Sequence, residues 1–306
     1  MLAITHGDAD GVCCAALFMK HSKSTDIPLV FTSPAALKDT LCRNMIKRKL
    51  DELYIFDLSG NKKTLRIASA WDKVVWIDHH NWEPEESFEN VEIIVKSSPS
   101  AARIVAEYFG IEEERLLKAV DEVDTNSVQS EDAALLRNTI GAIKWLFGRD
   151  GKKLQAMLGE SAKIIAEKGL EGLQEQESFK EMREKYQAFV SQVESEALEK
   201  VKVYTLADLK IAVYETPRFL PVYAISNALL RHAEAPFDVI AVLFHRANGN
   251  LLSTKMELRT HTGFDVQRIA MHFNGGGHKV AAGASLEKLL LGESFIEELK
   301  EILGKA

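Results

Sequence analysis

Val75-Trp76-Ile77-Asp78-His79-His80 ends an apolar run on one carboxylate and two imidazoles. A buried strand explains Val-Trp-Ile, but the three polar groups after it would lie beside a core unless a partner or ligand satisfied them. Two earlier stretches share this construction. Leu2-Ala3-Ile4-Thr5 runs into His6-Gly7-Asp8-Ala9-Asp10-Gly11, and Tyr54-Ile55-Phe56 runs into Asp57. Open parallel sheets pass from strand to loop at such points and bind ligands there. The three words together predict an α/β fold with a metal site at one end of the sheet.

Working outward, strands at 2–5, 27–31, 52–57 and 73–78 alternate with helical stretches at 11–21, 34–48 and 61–70. Strands spaced by helices imply right-handed crossovers, hence a doubly wound, mostly parallel sheet with helices on both faces. A strand at 91–95 and helices at 100–109, 112–123 and 132–147 complete a first domain, 1–150. Residues 151–200, rich in Glu, Lys, Gln, Ala and Leu, predict long connecting helices. Their apolar stripe (Leu154, Met157, Leu158, then Phe189, Val190, Val193) is that of an amphipathic solvated surface without chemistry, and it could supply a homodimer face. From 201 to 306 the pattern predicts a smaller α/β domain with a mixed sheet. Its strands lie at 201–206, 209–214, 239–246 and 251–256, with a hairpin at Asn248-Gly249 and helices near 221–231, 265–272 and 293–303.

The chain has 306 residues, 46% hydrophobic and 27% charged, which suits two globular domains. No apolar run approaches the roughly 18 to 20 residues of a membrane span. Met1 leads straight into a strand, so no signal peptide is expected. Cys13, Cys14 and Cys42 form no CxxC pair, as expected of reduced thiols in a cytoplasmic protein. The formal net charge of -7 is the wrong sign for gripping long nucleic acid, whereas a short anionic substrate in a locally cationic cleft fits.

Simpler readings exist for each word alone. His6, Asp8, Asp10 and Gly11 imitate a calcium loop, but its twelfth position, which needs a bidentate Glu, is Leu17. Asp8 and Asp10 could cap a helix, Asp57 could end a turn, and Asp124 in Val123-Asp124-Thr125 could merely end a helix. Asp121 lies three residues before Asp124 on the same helical face. Collected in one crevice, however, these carboxylates would repel and protonate unless divalent cations supplied the missing charge. Mixed imidazole and carboxylate donors suit manganese better than calcium or magnesium.

The three words in this order, with Gly275-Gly276-Gly277-His278 and Ala281-Ala282-Gly283 near the other end, resemble the DHH phosphoesterase superfamily. Its members include RecJ-type exonucleases, nanoRNases, nucleotide phosphatases and manganese pyrophosphatases. The resemblance implies two manganese ions, with Mg2+ or Co2+ as substitutes. His6, Asp8 and Asp57 would hold one, and Asp10, Asp57, His79 and Asp124 (with Asp121 as fallback) the other, Asp57 bridging. His80 would face the substrate phosphate or assist proton transfer, and Asp78 would orient an imidazole. Gly275, Gly276, Gly277 and His278 would bind phosphates through backbone amides, with a helix starting just after, and Arg259 would fork a phosphate.

Lys255, Arg268 and Lys279 are expected to be ordinary surface charges, Ser100 a helix cap or at most a phosphate donor, and His245, His261 and His272 structural. The function implied is a manganese-dependent phosphodiesterase, an exonuclease on short single-stranded RNA or DNA. A phosphomonoesterase acting on 3'-phosphoadenosine 5'-phosphate, or a cyclic dinucleotide hydrolase, is the alternative. Pyrophosphatase fits the Gly-Gly-Gly-His word less well. An idle binding module in a replication or repair complex would have little reason to keep so many clustered acids.

Overall fold

Along the first strand Leu2 and Ile4 point to one side and Ala3 and Thr5 to the other, so the strand has two faces to bury. A computed structural model, which describes residues 1–47, 51–248 and 251–304, shows how this is done. Strands β1 (Leu2–His6), β2 (Leu29–Thr32), β3 (Glu52–Phe56), β4 (Lys73–Asp78) and β5 (Val91–Val95) form a five-stranded sheet in the order β2-β1-β3-β4-β5. Every pairing is parallel. Helices α1 (Ala9–Ser22), α2 (Leu37–Lys47) and α3 (Lys62–Ala68) make the crossovers, and α4 (Ala101–Phe109), α5 (Glu114–Asp124) and α6 (Glu131–Phe147) follow.

One face of the sheet buries Leu2, Ile4, Leu53, Ile55 and Trp76 against Leu37 and Leu41 of α2 and Leu65 of α3. The other face is aromatic, with Phe18 of α1 lying 4.3 Å from Tyr54 and 5.5 Å from Phe56 by ring centroids. The helix expected over 34–48 is shorter, because Pro34–Ala36 forms a separate 3-10 turn before α2.

Helices α7 (Gly151–Glu175) and α8 (Glu177–Lys200) occupy the stretch expected as solvated connectors. α7 is instead part of the first compact unit, Met1–Gln187, and the second unit, Ala188–Ala306, begins within α8. Leu158, Ile165 and Leu173 are buried. The Gln155 amide closes the outer edge of β2, accepting from Phe31 N at 2.8 Å and donating to Phe31 O at 2.7 Å. An edge strand with open amides invites unwanted pairing, and this contact removes one donor and one acceptor from it.

The second unit has β6 (Lys202–Leu206), β7 (Leu209–Thr216), α9 (Val222–Leu229), β8 (Val239–Asn248), β9 (Leu251–Arg259), α10 (Gln267–His272), β10 (Gly276–His278), β11 (Ala281–Leu286) and α11 (Gly292–Gly304). Its six strands run in the order β10-β11-β9-β8-β7-β6, with only β7 and β8 parallel. α9 and the end of α8 cover one face, and α10 and α11 cover the other. β8 and β9 form the expected hairpin, paired as far as Asn248 with Leu251. Gly249, in the predicted turn, lies outside the described residues.

No helix starts after Gly275-Gly276-Gly277-His278. Its last three residues form β10, paired antiparallel with β11. A Cβ on Gly275 would come within 2.1 Å of the Gly283 carbonyl oxygen, so the glycine is required by close backbone approach.

Replacing Gln155 with Ala leaves a half-buried amide and carbonyl of β2 without this partner, at a cost of about 1–2 kcal/mol. The melting temperature of the full chain is expected to fall by about 3–6 °C in calorimetry, and an unchanged value would show that the edge contact adds nothing.

Candidate metal centre

β1, β3 and β4 are adjacent in the sheet, and their carboxyl ends deliver the three polar words to one place. His6 is the last residue of β1, and Asp8 caps α1, accepting from Gly11 N at 3.1 Å. A side chain on Gly11 would meet the His6 carbonyl oxygen at 2.2 Å, so only glycine lets α1 start directly beneath the strand end. Asp10, in the first turn of α1, is 1% exposed. Asp57 follows β3 with φ 55, a left-handed conformation uncommon outside glycine, and it too is 1% exposed. Asp78 ends β4, with His79 and His80 just beyond.

Two groups of donors share Asp57. On one side His6 Nδ1 lies 2.6 Å from Asp8 Oδ2 and 3.6 Å from Asp57 Oδ2. On the other, His79 Nε2 lies 3.8 Å from Asp10 Oδ2, 3.6 Å from Asp57 Oδ1 and 3.5 Å from Asp124 Oδ2. These last separations are too long for hydrogen bonds, yet the donor atoms of Asp10, His79 and Asp124 all lie within 4.8 Å of one another. That is the spacing of ligand atoms gathered round a common cation.

Asp57 Oδ2 is buried and has no hydrogen-bond partner among the described residues. A buried acceptor left this way is costly and asks for an explanation. Nδ1 of His79 sits 3.1 Å from Ser98 O, and as the donor there it turns Nε2 toward the carboxylates. The donor set therefore fits one or two divalent cations.

The electrostatics agree. Burial, and then the charges of Asp10, Asp8 and Asp124, push the Asp57 carboxyl well above the ordinary range. Burial raises Asp10 to about 6, although His79 and the amides of Ala101 and Ala102 oppose it. Burial, with Asp10 and Asp8 adding to it, raises Asp124 to about 9. Asp8 is the exception, since His6 overcomes the effect of burial and holds it below the usual range.

Asp121, the alternative to Asp124, is engaged elsewhere. It accepts from Ser100 Oγ at 2.6 Å and from Arg103 Nε at 2.8 Å, while Asp124 faces His79. Ser100 is fully buried and caps α4 through Arg103 N, so it is no phosphate donor.

The amides of Ala101 and Ala102, Ser59 and Trp82 contribute to the centre without a sequence signal of their own. The first amides of α4 hold both oxygens of Asp10, Ala101 N at 2.6 Å and Ala102 N at 2.8 Å. Asp78 is a buried hub, not an open ligand. Its Oδ1 accepts from His80 Nδ1 at 2.7 Å and His79 N at 2.9 Å, and its Oδ2 accepts from Trp82 Nε1 at 2.7 Å and Ser59 Oγ at 3.3 Å. Burial raises the Asp78 carboxyl, but His80 and Trp82 more than offset it and leave it low.

In the second unit, Arg259 Nη1 donates to Leu258 O at 2.8 Å and lies 3.5 Å from Glu257 Oε2. Gly276 pairs with Gly283, Gly277 with Ala282 and His278 with Ala281. Because Ala281 also pairs with Arg259, His278 and Arg259 share a face of the sheet. Lys255 contacts Glu257 at 2.8 Å, and Arg268 lies over the Phe264 ring. His245, His261 and His272 contact Glu215, Ser226 O and Glu298 respectively.

Residues 221–305 match the DHHA1 domain family. No curated protein matches the sequence. Among solved structures, the chain is similar to the pGpG-specific phosphodiesterase PggH of Vibrio cholerae, at 17% identity and TM-score 0.61 over 99% of this chain and 97% of that one. It is similar to RecJ of Thermus thermophilus in complex with Mn2+, at 14% identity and TM-score 0.59 over 99% of this chain and 52% of that one. It is also similar to an exopolyphosphatase-related protein of Bacteroides fragilis, at 16% identity and TM-score 0.53 over 99% and 91%. No described helix is long and apolar enough to cross a membrane.

For the metal-free protein, the raised carboxyls make stability fall with pH. An unfolded Asp titrates near 3.9, whereas Asp10 and Asp124 keep their protons to about 6 and about 9. The unfolded chain thus releases protons that the folded one retains, and stability is lost as pH rises from about 4 to about 9. In EDTA the melting temperature should drop between pH 5 and pH 8, and Asp124→Asn should lessen the drop. Manganese should restore the wild type and leave Asp124→Asn little changed. Parallel melting curves for the two proteins would contradict this account of the centre.

Proposed function

We propose that the chain is a phosphoesterase of the DHH superfamily, a reading that its motif order, its fold and its DHHA1 match support, and that it hydrolyses phosphodiester bonds in short single-stranded oligonucleotides. The observation that carries the reading is the position of Asp57, whose Oδ2 faces His6 and whose Oδ1 faces His79. His6, Asp8 and Asp57 would hold one divalent ion, and Asp10, Asp57, His79 and Asp124 a second. Manganese is preferred for its tolerance of mixed nitrogen and oxygen donors, with Mg2+ or Co2+ as substitutes. Bound there, the ions supply Lewis acidity toward phosphoryl oxygens and toward an attacking water.

The chain's own residues do the rest. Asp78 fixes the His80 ring through Nδ1, so Nε2 is the atom offered to a phosphoryl oxygen or a leaving group. The hydrogen bonds from α4 set the direction of Asp10 without using up the lone pairs of its oxygens. In the second unit Arg259 and His278, on one face of the sheet, would receive further phosphates of the substrate. The charge of -7 disfavours long nucleic acid and suits a substrate of a few nucleotides.

Incubation of the manganese-loaded chain with end-labelled oligomers of a few nucleotides, a long single strand, and 3'-phosphoadenosine 5'-phosphate tests the reading. Turnover of the short oligomers should exceed that of the other two. Cleavage of the monoester alone would favour the phosphomonoesterase reading, and cleavage of none of them the binding-module reading. Asp57→Asn is expected to lower kcat about a thousand-fold or more. Arg259→Ala should chiefly raise KM, so equal mild losses in both variants would refute this division of roles.

A further inference from the structure

In the second unit Pro217-Arg218-Phe219-Leu220-Pro221 joins β7 to α9. Leu220 is 2% exposed and anchors the loop, while its neighbour Phe219 is 62% exposed. Prolines at both ends restrict the backbone, so the aromatic ring is held outward at little further entropic cost. A single exposed phenylalanine means little by itself. Its surroundings are what distinguish this one. Its ring centroid lies 5.1 Å from that of buried Phe244, with Lys255 Nζ 4.9 Å and Arg246 Cζ 5.9 Å from its own. Arg246 has no carboxylate partner among the described residues.

Strand register extends the surface. Phe244 pairs with Lys255, and Ile240 with Arg259, so Phe244, Arg246, Lys255, Glu257 and Arg259 project from one face. Arg259 pairs in turn with Ala281, and Ala281 with His278. The face thus runs from the Gly-Gly-Gly-His strand past Arg259 and along β9 to Phe219, with Glu257 the carboxylate among three cations. From Arg259 to Lys255 the strand advances about 13 Å, a span that a dinucleotide covers and a single phosphate group does not.

We propose that Phe219, flanked by Arg246 and Lys255, is a stacking platform for a nucleobase of the substrate, whose phosphates lie on the cations of this face. The assignment rests on the oligonucleotide reading above and adds to it that the chain recognises bases by stacking, without a hydrogen-bond code. An aromatic face beside two cations suits a base joined to phosphate. It suits an acidic peptide poorly, since a peptide brings charge without a ring to stack.

The test uses the full chain in EDTA, so that binding is read without hydrolysis. The probe is a 5'-phosphorylated dinucleotide carrying 2-aminopurine at one position, compared with the same molecule abasic there. The wild type should quench 2-aminopurine and bind the base-bearing probe about ten-fold more tightly than the abasic one. Phe219→Ala should remove both the quench and the preference, Phe219→Trp should retain them, and Arg246→Glu should weaken both probes. Equal affinity for the two probes in the wild type, a quench that survives in Phe219→Ala, or binding of neither probe would overturn the proposal. A chain with the base preference that cleaves nothing in manganese would overturn the phosphodiesterase reading and leave this one standing.

Discussion

Asp8, Asp10, Asp57 and Asp124 gather round His6 and His79, with Asp57 facing both, and bringing four carboxylates together is costly. Two unit charges 4 Å apart repel by about 4 kcal/mol at the effective dielectric near a protein surface. The usual relief is a lysine or arginine, yet among the described residues none forms an ion pair with these four, and Lys144 acts on Asp8 only through its charge. Arg103, on α4, is engaged by Asp121 and Glu114. Protons relieve the repulsion in the metal-free protein, which is why burial can raise Asp10, Asp57 and Asp124 together. A divalent cation would relieve it without surrendering the carboxylates as ligands, and that exchange is the one proposed for this centre.

The surroundings show the arrangement in detail. Asp57 tolerates a left-handed backbone at the end of β3, a strained state that persists only where neighbours fix it. Its own N–H is held by Ile77 O at 3.0 Å, so the strain is locked to the adjacent strand that delivers Asp78. The first turn of α4 brings two amides and the positive end of its dipole to Asp10, steadying a carboxylate that would otherwise turn away from its neighbours. Asp78 spends both oxygens on His79, His80, Trp82 and Ser59, so its charge orients the imidazoles. A side chain on Gly60 would strike Trp82 and Trp76 at under 3.0 Å, so the indole that braces Asp78 needs that glycine.

How much of this the sequence disclosed depends on the kind of signal. The ends of β1, β3 and β4 were readable because apolar runs stopped on polar words, and a parallel sheet aligns such stops. Helical spacing alone did not separate Asp121 from Asp124, since residues three apart share a face; the preference for Asp124 came from the resemblance, and Arg103 and Ser100 are what engage Asp121 in the structure. β10 and β11 escaped because Gly and Ala carry little strand preference, so backbone proximity defines them. The place of α7 in the first unit was hidden as well. Gln155 acts through backbone bonds to Phe31, 124 positions away, which periodicity cannot reveal.

The same distinction bears on how an acidic chain could favour the anionic ligand proposed for it. A net charge of -7 repels polyanions at a distance, but a substrate of a few nucleotides responds mainly to potential within about a Debye length, roughly 8–10 Å. Period-two alternation on β8 and β9 sends Met256 and Leu258 into the core with α10 and α11, and sends Lys255, Glu257 and Arg259 to the opposite face. The hydrophobic pattern that folds the sheet thereby concentrates cations on one surface, which continues to the glycine-rich strand β10. Burial of the Arg259 guanidinium lowers its affinity for a proton but leaves it charged, and a partly desolvated charge attracts phosphate more strongly than one in bulk water. Local charge placed by strand register can thus outweigh the overall sign for a ligand no longer than the surface itself.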